Sequence, residues 1–310
     1  MASAGRAPLR RLELHVRGAA CGRGRGPLLL RRAWLPPEPW AALLVVHGYA
    51  EHSGRYEELG AWFGARGLAV HAYDQRGHGR SEGVRCHVDR FSEYLDDLDG
   101  VLARVRDEHP LLPVLLLGHS MGGLVVISFL AERRPPVAAA VTSGALLALG
   151  PDVSRVRALA ARGLRRLVPR LALGSGLDPR GLSRDPDVVR RYVEDPLVHR
   201  TMTAGLGAAI LETVPRTAER AFDVQVPMLL LHGADDPMCP AAGSAAFHGR
   251  LRVPGSAFKS YPALRHEIFN EPEREQIFED VRAWIEQTLR RETEGVRAGA
   301  AGVGAGGTLA

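Results

Sequence analysis

Apolar residues along this chain gather in short, nearly unbroken runs, separated by stretches with helical spacing. Ala42–Val46, Leu68–Tyr73, Val114–Leu117 and Val137–Thr142 are rich in β-branched residues and leucine, with little alternation. Pro227–Leu231 and Ala257–Tyr261 repeat the signal nearer the C-terminus. Runs of this kind read as strands of a parallel sheet covered on both faces. Upstream, Leu12–Arg17 and Leu28–Trp34 predict an antiparallel pair joined by a Gly-rich turn around Gly22–Gly26.

The helical stretches are equally direct. Phe91, Tyr94, Leu95, Leu98, Val101, Leu102 and Val105 recur at spacings of three and four and make one apolar stripe that ends before Pro110. Ile277, Phe278, Val281, Trp284, Ile285 and Leu289 repeat the pattern in a final helix, with Asn270 and Glu273 placed as its cap and capping partner. Strand and helix in alternation predict a doubly wound α/β sheet.

One stretch breaks that rhythm. From about Ala145 to Arg216 there is no strand candidate, only short helical pieces interrupted by Pro and Gly. It reads as a cap inserted between two strands, over the strand ends where such sheets bind ligands. Its segment Val153–Leu171 sets Val153, Val156, Leu159, Leu164 and Leu167 among arginines, as a helix packed on the core or a basic surface that meets lipid. The expected organisation is an α/β domain over 12–292 with a cap at about 145–216. Unstructured ends at 1–11 and 293–310 would flank it, since neither can bury enough apolar surface to order itself.

Composition narrows the class. With 310 residues and 45% hydrophobic content the chain can bury a full core. The net charge of +5 comes almost wholly from arginine, Lys259 being the only lysine, and the arginines are scattered among acids rather than gathered in a tract. Nucleic acid is therefore not an expected partner. The polar N-terminus lacks the apolar core of a secretory signal, and no apolar run approaches the ~20 residues needed to cross a bilayer. Cys21, Cys86 and Cys239 have no paired spacing, so neither a disulfide framework nor a zinc site is expected. A cytoplasmic protein, at most peripheral to membranes, is the resulting expectation.

The chemistry centres on Gly118-His119-Ser120-Met121-Gly122, which follows a strand and opens an apolar helix. A G-x-S-x-G turn in that setting forces the serine into a strained conformation and exposes its hydroxyl at the sheet's edge. In this fold the nucleophile is followed by an acid and then by a histidine. After the Pro227–Leu231 strand come the pair Asp235-Asp236, then His248 and His266. His248 falls in a helix-like segment, whereas His266 lies in the loop after the last strand, from which it can reach the serine. Only one of the adjacent acids can face the imidazole; Asp236 is the choice, with Asp235 capping the turn at Pro237. His119 is expected to point away from Ser120. His47-Gly48-Tyr49 follows the Ala42–Val46 strand, and the amides of Tyr49 and Met121 are candidate oxyanion donors. Loss of one such donor typically costs ~3–4 kcal/mol of transition-state stabilisation. His47 and Gly48 are assigned to substrate contact.

Taken together, these motifs resemble a known family. His47-Gly48-Tyr49-Ala50-Glu51-His52-Ser53-Gly54-Arg55-Tyr56 resembles the signature loop of monoglyceride lipases and related lysophospholipases. Asp74-Gln75-Arg76-Gly77-His78-Gly79-Arg80-Ser81 is similar to the D-x-R-G-x-G-x-S turn of many α/β hydrolases, and Tyr192–Leu197 resembles a cap segment of the same group. The likeness runs over roughly residues 10–290. It implies an α/β-hydrolase fold, an apolar channel for one acyl chain, an acylglycerol or lysophospholipid substrate, Asp236 as the triad acid, and no metal or organic cofactor. A serine ester hydrolase is the expected function. A broad carboxylesterase or thioesterase is the alternative within enzymes, and a ligand receptor on the same fold is the alternative outside them. Dehalogenase and epoxide-hydrolase relatives place an aspartate where Ser120 stands. Cys239, close after Asp236, is a candidate pocket thiol.

Overall fold

The computed structural model describes residues 8–20, 25–149 and 163–304. Its strands are β1 (Arg10–Arg17), β2 (Leu28–Leu35), β3 (Ala41–Val46), β4 (Leu68–Tyr73), β5 (Val114–His119), β6 (Ala139–Ser143), β7 (Ala172–Gly174), β8 (Thr201–Thr203), β9 (Met228–Gly233) and β10 (Ala257–Tyr261). All but β7 and β8 join one 8-stranded sheet in the order β1-β2-β4-β3-β5-β6-β9-β10. β2 runs antiparallel to β1 and β4, and the remaining pairs are parallel. The strand order turns at β3, whose neighbours are β4 on one side and β5 on the other. In open α/β sheets ligands bind beyond the carboxyl ends of the strands at such a reversal. Here those ends carry His47-Gly48-Tyr49 and Ser120.

The unbroken apolar runs have a physical reason. Along β3, Ala42, Leu44 and Val46 enter one core while Ala41, Leu43 and Val45 enter the other, so neither face can be polar. The first core is closed by helices α2 (Ser92–Glu108), α3 (Met121–Arg133), α5 (Ala204–Ala218) and α6 (Ala241–His248), through residues such as Leu98, Leu124, Leu206 and Phe247. The second is closed by α1 (Glu57–Ala65) and α7 (Arg274–Gly304), through Phe63, Ile277, Phe278 and Val281.

Between β6 and β9 the described chain carries the short β7–β8 pair and the helices α4 (Pro186–Glu194) and α5. The β7–β8 pair was not expected; each strand has three residues, too short for any periodicity to register. Most of the arginine-rich segment 153–171 lies outside the described residues, as do 1–7 and 305–310. α7 runs on to Gly304, into the tail expected to be unstructured from 293. Adding a residue to an established helix is far easier than starting one, so α7 runs on here despite four glycines in 293–304. Asn270 does not cap α7: it closes a 3-10 turn and donates to Glu267 instead.

Candidate active site

Ser120 occupies the turn between β5 and α3 with φ 53° and ψ −118°. A side-chain-bearing residue at positive φ costs about 1–3 kcal/mol, held in place only where its surroundings over-determine it. Here the Ser120 amide donates to the Ser143 carbonyl at 2.9 Å, and its carbonyl accepts from Leu124 N at 3.1 Å. The turn also needs Gly122, where a Cβ would stand 2.1 Å from the Val46 carbonyl oxygen. Ser120 is thereby fixed at the N-terminus of α3, where the helix dipole favours developing negative charge.

A cavity of about 400 Å³ opens over this turn. Gly48, Tyr49, Ser120, Met121, Cys239 and His266 contribute to its lining, and Leu146, Leu149, Leu177, Leu182, Met202 and Ile210 make much of the rest apolar. His266 is buried and its Nδ1 donates to Asp236 Oδ2 at 2.7 Å. The other Asp236 oxygen accepts the amides of Met238 at 2.8 Å and Cys239 at 3.0 Å. It is thus Asp236 itself, not Asp235 as expected, whose side chain caps this turn.

A residue that the sequence reading missed completes the arrangement. His232, at the end of β9, directs Nε2 at Asp236 Oδ2 (3.1 Å) and at the Cys239 carbonyl (2.9 Å). Both are acceptors, so Nε2 carries the proton, and Nδ1 accepts from the Ser244 hydroxyl at 2.9 Å. Burial alone would raise the Asp236 pKa; the hydrogen bonds from His232 and His266 outweigh it and hold the carboxyl well below the usual carboxylate range. Burial would likewise lower the His266 pKa, but its bond to Asp236 and the nearby negative charges raise it above 6.5.

Ser120 and His266 face the same cavity, yet no hydrogen bond joins them among the described residues. Such bonds are often long in free enzymes and tighten with substrate. The amides of Tyr49 and Met121 have no hydrogen-bond partner among the described residues, and both residues line the cavity. Gly48 approaches closely: a Cβ there would lie 3.2 Å from Ser120 Cβ.

His47, assigned above to substrate contact, is not part of the lining. Its Nε2 accepts the Gln75 amide at 2.9 Å and its Nδ1 donates to the Gly48 carbonyl at 2.7 Å, so both ring nitrogens are committed within the protein. His119 makes no bond to Ser120, but its ring does line the cavity, 4.7 Å from that of His266. Its Nδ1 donates to the Ser143 carbonyl at 3.0 Å. Burial, with His266 adding to it, pushes its pKa down to about 4, so the ring is neutral at pH 7.

One cluster elsewhere has the composition of a metal site: His71, Glu108 and His109. A cation already occupies it, because both Glu108 oxygens accept from Arg31, at 2.7 and 2.8 Å. Arg31 also approaches His71 Nδ1, which leaves His71 Nε2 to carry the proton toward His109 Nε2 at 2.9 Å. With Nδ1 facing Arg31 and Nε2 protonated, His71 has no lone pair free for a metal.

Residues 37–273 match the family described as Serine aminopeptidase, S33. The chain belongs to that family. The monoacylglycerol lipase of Mycolicibacterium smegmatis is 38% identical over 262 residues, covering 84% of this chain and 93% of its own. The phospholipase YtpA of Bacillus subtilis is 32% identical over 83% of this chain and 99% of its own. Among solved structures, the Paleococcus ferrophilus monoacylglycerol lipase superposes with a TM-score of 0.78 at 33% identity, over 84% of this chain and 99% of that one. This S33-family member is an α/β hydrolase and a carboxylic ester hydrolase.

Proposed function

We propose that this enzyme cleaves monoacylglycerols through a Ser120–His266–Asp236 triad and an acyl-enzyme intermediate. His266 Nε2 takes the proton of Ser120 Oγ as the oxygen attacks the ester carbonyl, and Asp236 holds the opposite edge of the imidazole and stabilises its protonated form. The amides of Tyr49 and Met121 receive the oxyanion. The alcohol then leaves, protonated by His266, and a water activated by the same residue releases the fatty acid. The observation that carries this reading is the 2.7 Å bond from His266 Nδ1 to a doubly supported Asp236, facing the cavity of a strained serine turn. The apolar lining suits one acyl chain, each buried methylene contributing up to ~0.8 kcal/mol.

The test is labelling with a fluorophosphonate probe, followed by peptide mapping. One adduct on Ser120, absent from His266→Ala, is expected, with Ser120→Ala losing hydrolysis of a monoacylglycerol. Full esterase activity in folded Ser120→Ala would overturn the triad. Similarity to the Bacillus phospholipase favours lysophospholipid as a second substrate. Side-by-side kinetics with a monoacylglycerol, a lysophospholipid, a short p-nitrophenyl ester and an acyl thioester separate these readings from a broad esterase. Tight lipid retention without turnover would mark a receptor.

We further read 145–216 as a cap that meets lipid. Leu167, Leu171, Leu173, Leu177 and Val193 are exposed there, Leu167 to 82%, with Arg166 and Arg170 interspersed. No helix among the described residues is long and apolar enough to cross a membrane, so the lipid contact is peripheral in this reading.

A further inference from the structure

Beside the candidate triad lies a second group of buried charges that the reaction scheme above does not use. Glu51 and Glu267 are only 3% and 4% exposed, and the Arg55 side chain between them only 10%. Glu51 Oε1 accepts the Gly48 amide at 2.6 Å and the Tyr56 hydroxyl at 2.8 Å, and Glu51 Oε2 accepts from Arg55 at 3.0 Å. Arg55 then grips Glu267 with both terminal nitrogens, at 2.6 and 2.8 Å, and Asn270 adds a bond to Glu267 at 2.8 Å.

The ends of this chain of contacts are what matter. Gly48 directly precedes Tyr49, the proposed oxyanion donor, and Glu267 directly follows His266, the proposed base. A continuous charged bridge therefore runs from one working element to the other. It also carries two carboxylates against one guanidinium. Burial alone would oppose ionisation of Glu267, but the Arg55 charge and hydrogen bonds prevail and keep it ionised.

We propose that the Glu51–Arg55–Glu267 bridge is a positioning device for the reaction: it sets the oxyanion loop against the base, and its surplus negative charge favours the imidazolium of His266. The inference rests on the proposed role of His266. The groups facing that imidazole are Asp236 and Cys239 from the loop after β9, His119 from the serine turn, Glu51 from the loop after β3, and Glu267 on its own loop. Of these, Asp236 makes the direct bond. His119 and the Cys239 thiol are neutral at pH 7, because burial lowers the pKa of the first and raises that of the second. The bridge thus supplies the remaining charge. Glycine at 48 fits the same geometry, since a Cβ would stand 2.9 Å from Glu51 Oε1.

The experiment is the pH profile of kcat/KM for p-nitrophenyl butyrate, measured on the full chain. Glu267→Gln keeps an oxygen for Arg55 but removes one charge, so the acidic limb should move down by ~0.5–1 pH unit. Glu51→Gln should shift the same way and also lower kcat several-fold with KM nearly constant, because the Gly48 amide is held less firmly. Arg55→Lys keeps the charge and loses the two-pronged grip; its limb should stay in place while kcat falls. A residue that only supports the fold would change melting temperature and rate without moving the limb. A folded Glu267→Gln enzyme with the wild-type limb overturns the inference. Should neither glutamine variant fold, Arg55→Lys decides, and wild-type kcat there overturns it. Fluorophosphonate labelling of Ser120 that survives in His266→Ala would instead remove the role of His266 on which the inference rests, so the two failures are distinguishable.

Discussion

His232 and His266 share one acceptor: both direct a ring nitrogen at Asp236 Oδ2, at 3.1 and 2.7 Å. The carboxylate is thus held by His232 from the strand side as well as by His266. A hydrogen bond to a charged group is worth about 1.5–3 kcal/mol. His232→Leu, which fills much of the space without donating, should lower kcat roughly tenfold to a hundredfold at similar KM and leave Ser244 unpaired. Steady-state kinetics check this, and a folded variant with unchanged kcat would reduce His232 to a packing role.

The pH dependence follows from two opposed shifts. In the proposed mechanism the base is neutral His266, whose pKa is raised above 6.5, so kcat/KM should rise with pH through a midpoint above that value. Stability behaves differently. The His266 contribution is complete below pH 6.5 and is lost as pH rises through the folded pKa. The Asp236 contribution is complete above its ordinary pKa of 3.8 and is lost only as pH falls through its depressed folded value. A rate profile with its midpoint below 6.5 would contradict this arrangement.

Strain at position 120 gives a stability test. At φ 53° a glycine is relaxed where serine is not. Ser120→Gly should abolish hydrolysis while adding about 1 kcal/mol of stability. Ser120→Ala, equally inactive, should not gain it. Equal melting temperatures for the two variants would show that the turn stores no strain.

Cys239 and Cys86 are both buried with free thiols, but only Cys239 lines the cavity. Burial pushes the Cys239 thiol well above its ordinary pKa, so it meets reagents as the thiol rather than the thiolate. A bulky maleimide should therefore inhibit slowly, and Cys239→Ala should resist it. Equal inhibition of the variant would show that another group is being modified.

For the cap, Leu171→Asp together with Leu173→Asp, both exposed and outside the cavity lining, should lower turnover of monoacylglycerol in vesicles several-fold. Hydrolysis of a soluble butyrate ester should change little. Parallel losses on both substrates would point to damage within the channel rather than to lost lipid contact.

Much of the frame was legible because its signals are local. A strand buried on both faces must be apolar at successive positions, and β3, β4 and β5 show this within a few residues. The serine turn is likewise encoded by adjacent glycines. His232 and the Glu51–Arg55–Glu267 bridge were not legible. Arg55 and Glu267 lie 212 positions apart and meet only because the loops after β3 and β10 converge. His47 misled for the related reason that its neighbours suggest a cavity wall, whereas the Gln75 amide turns its ring inward.

The segment around Tyr192–His199 is fastened to the loop that begins at His47. Asp195 pairs with His52 at 2.8 Å, the His199 amide donates to the Ala50 carbonyl at 2.9 Å, and Arg55 lies 4.8 Å over the Tyr192 ring. This flank is therefore a hinge post rather than a door. To lift it would pull directly on the backbone that presents Tyr49, the proposed oxyanion donor, and would disturb the proposed catalytic centre in the act of admitting substrate. A substrate that enters where Leu149, Leu177 and Met202 line the cavity would leave these ties, and the loop they hold, in place.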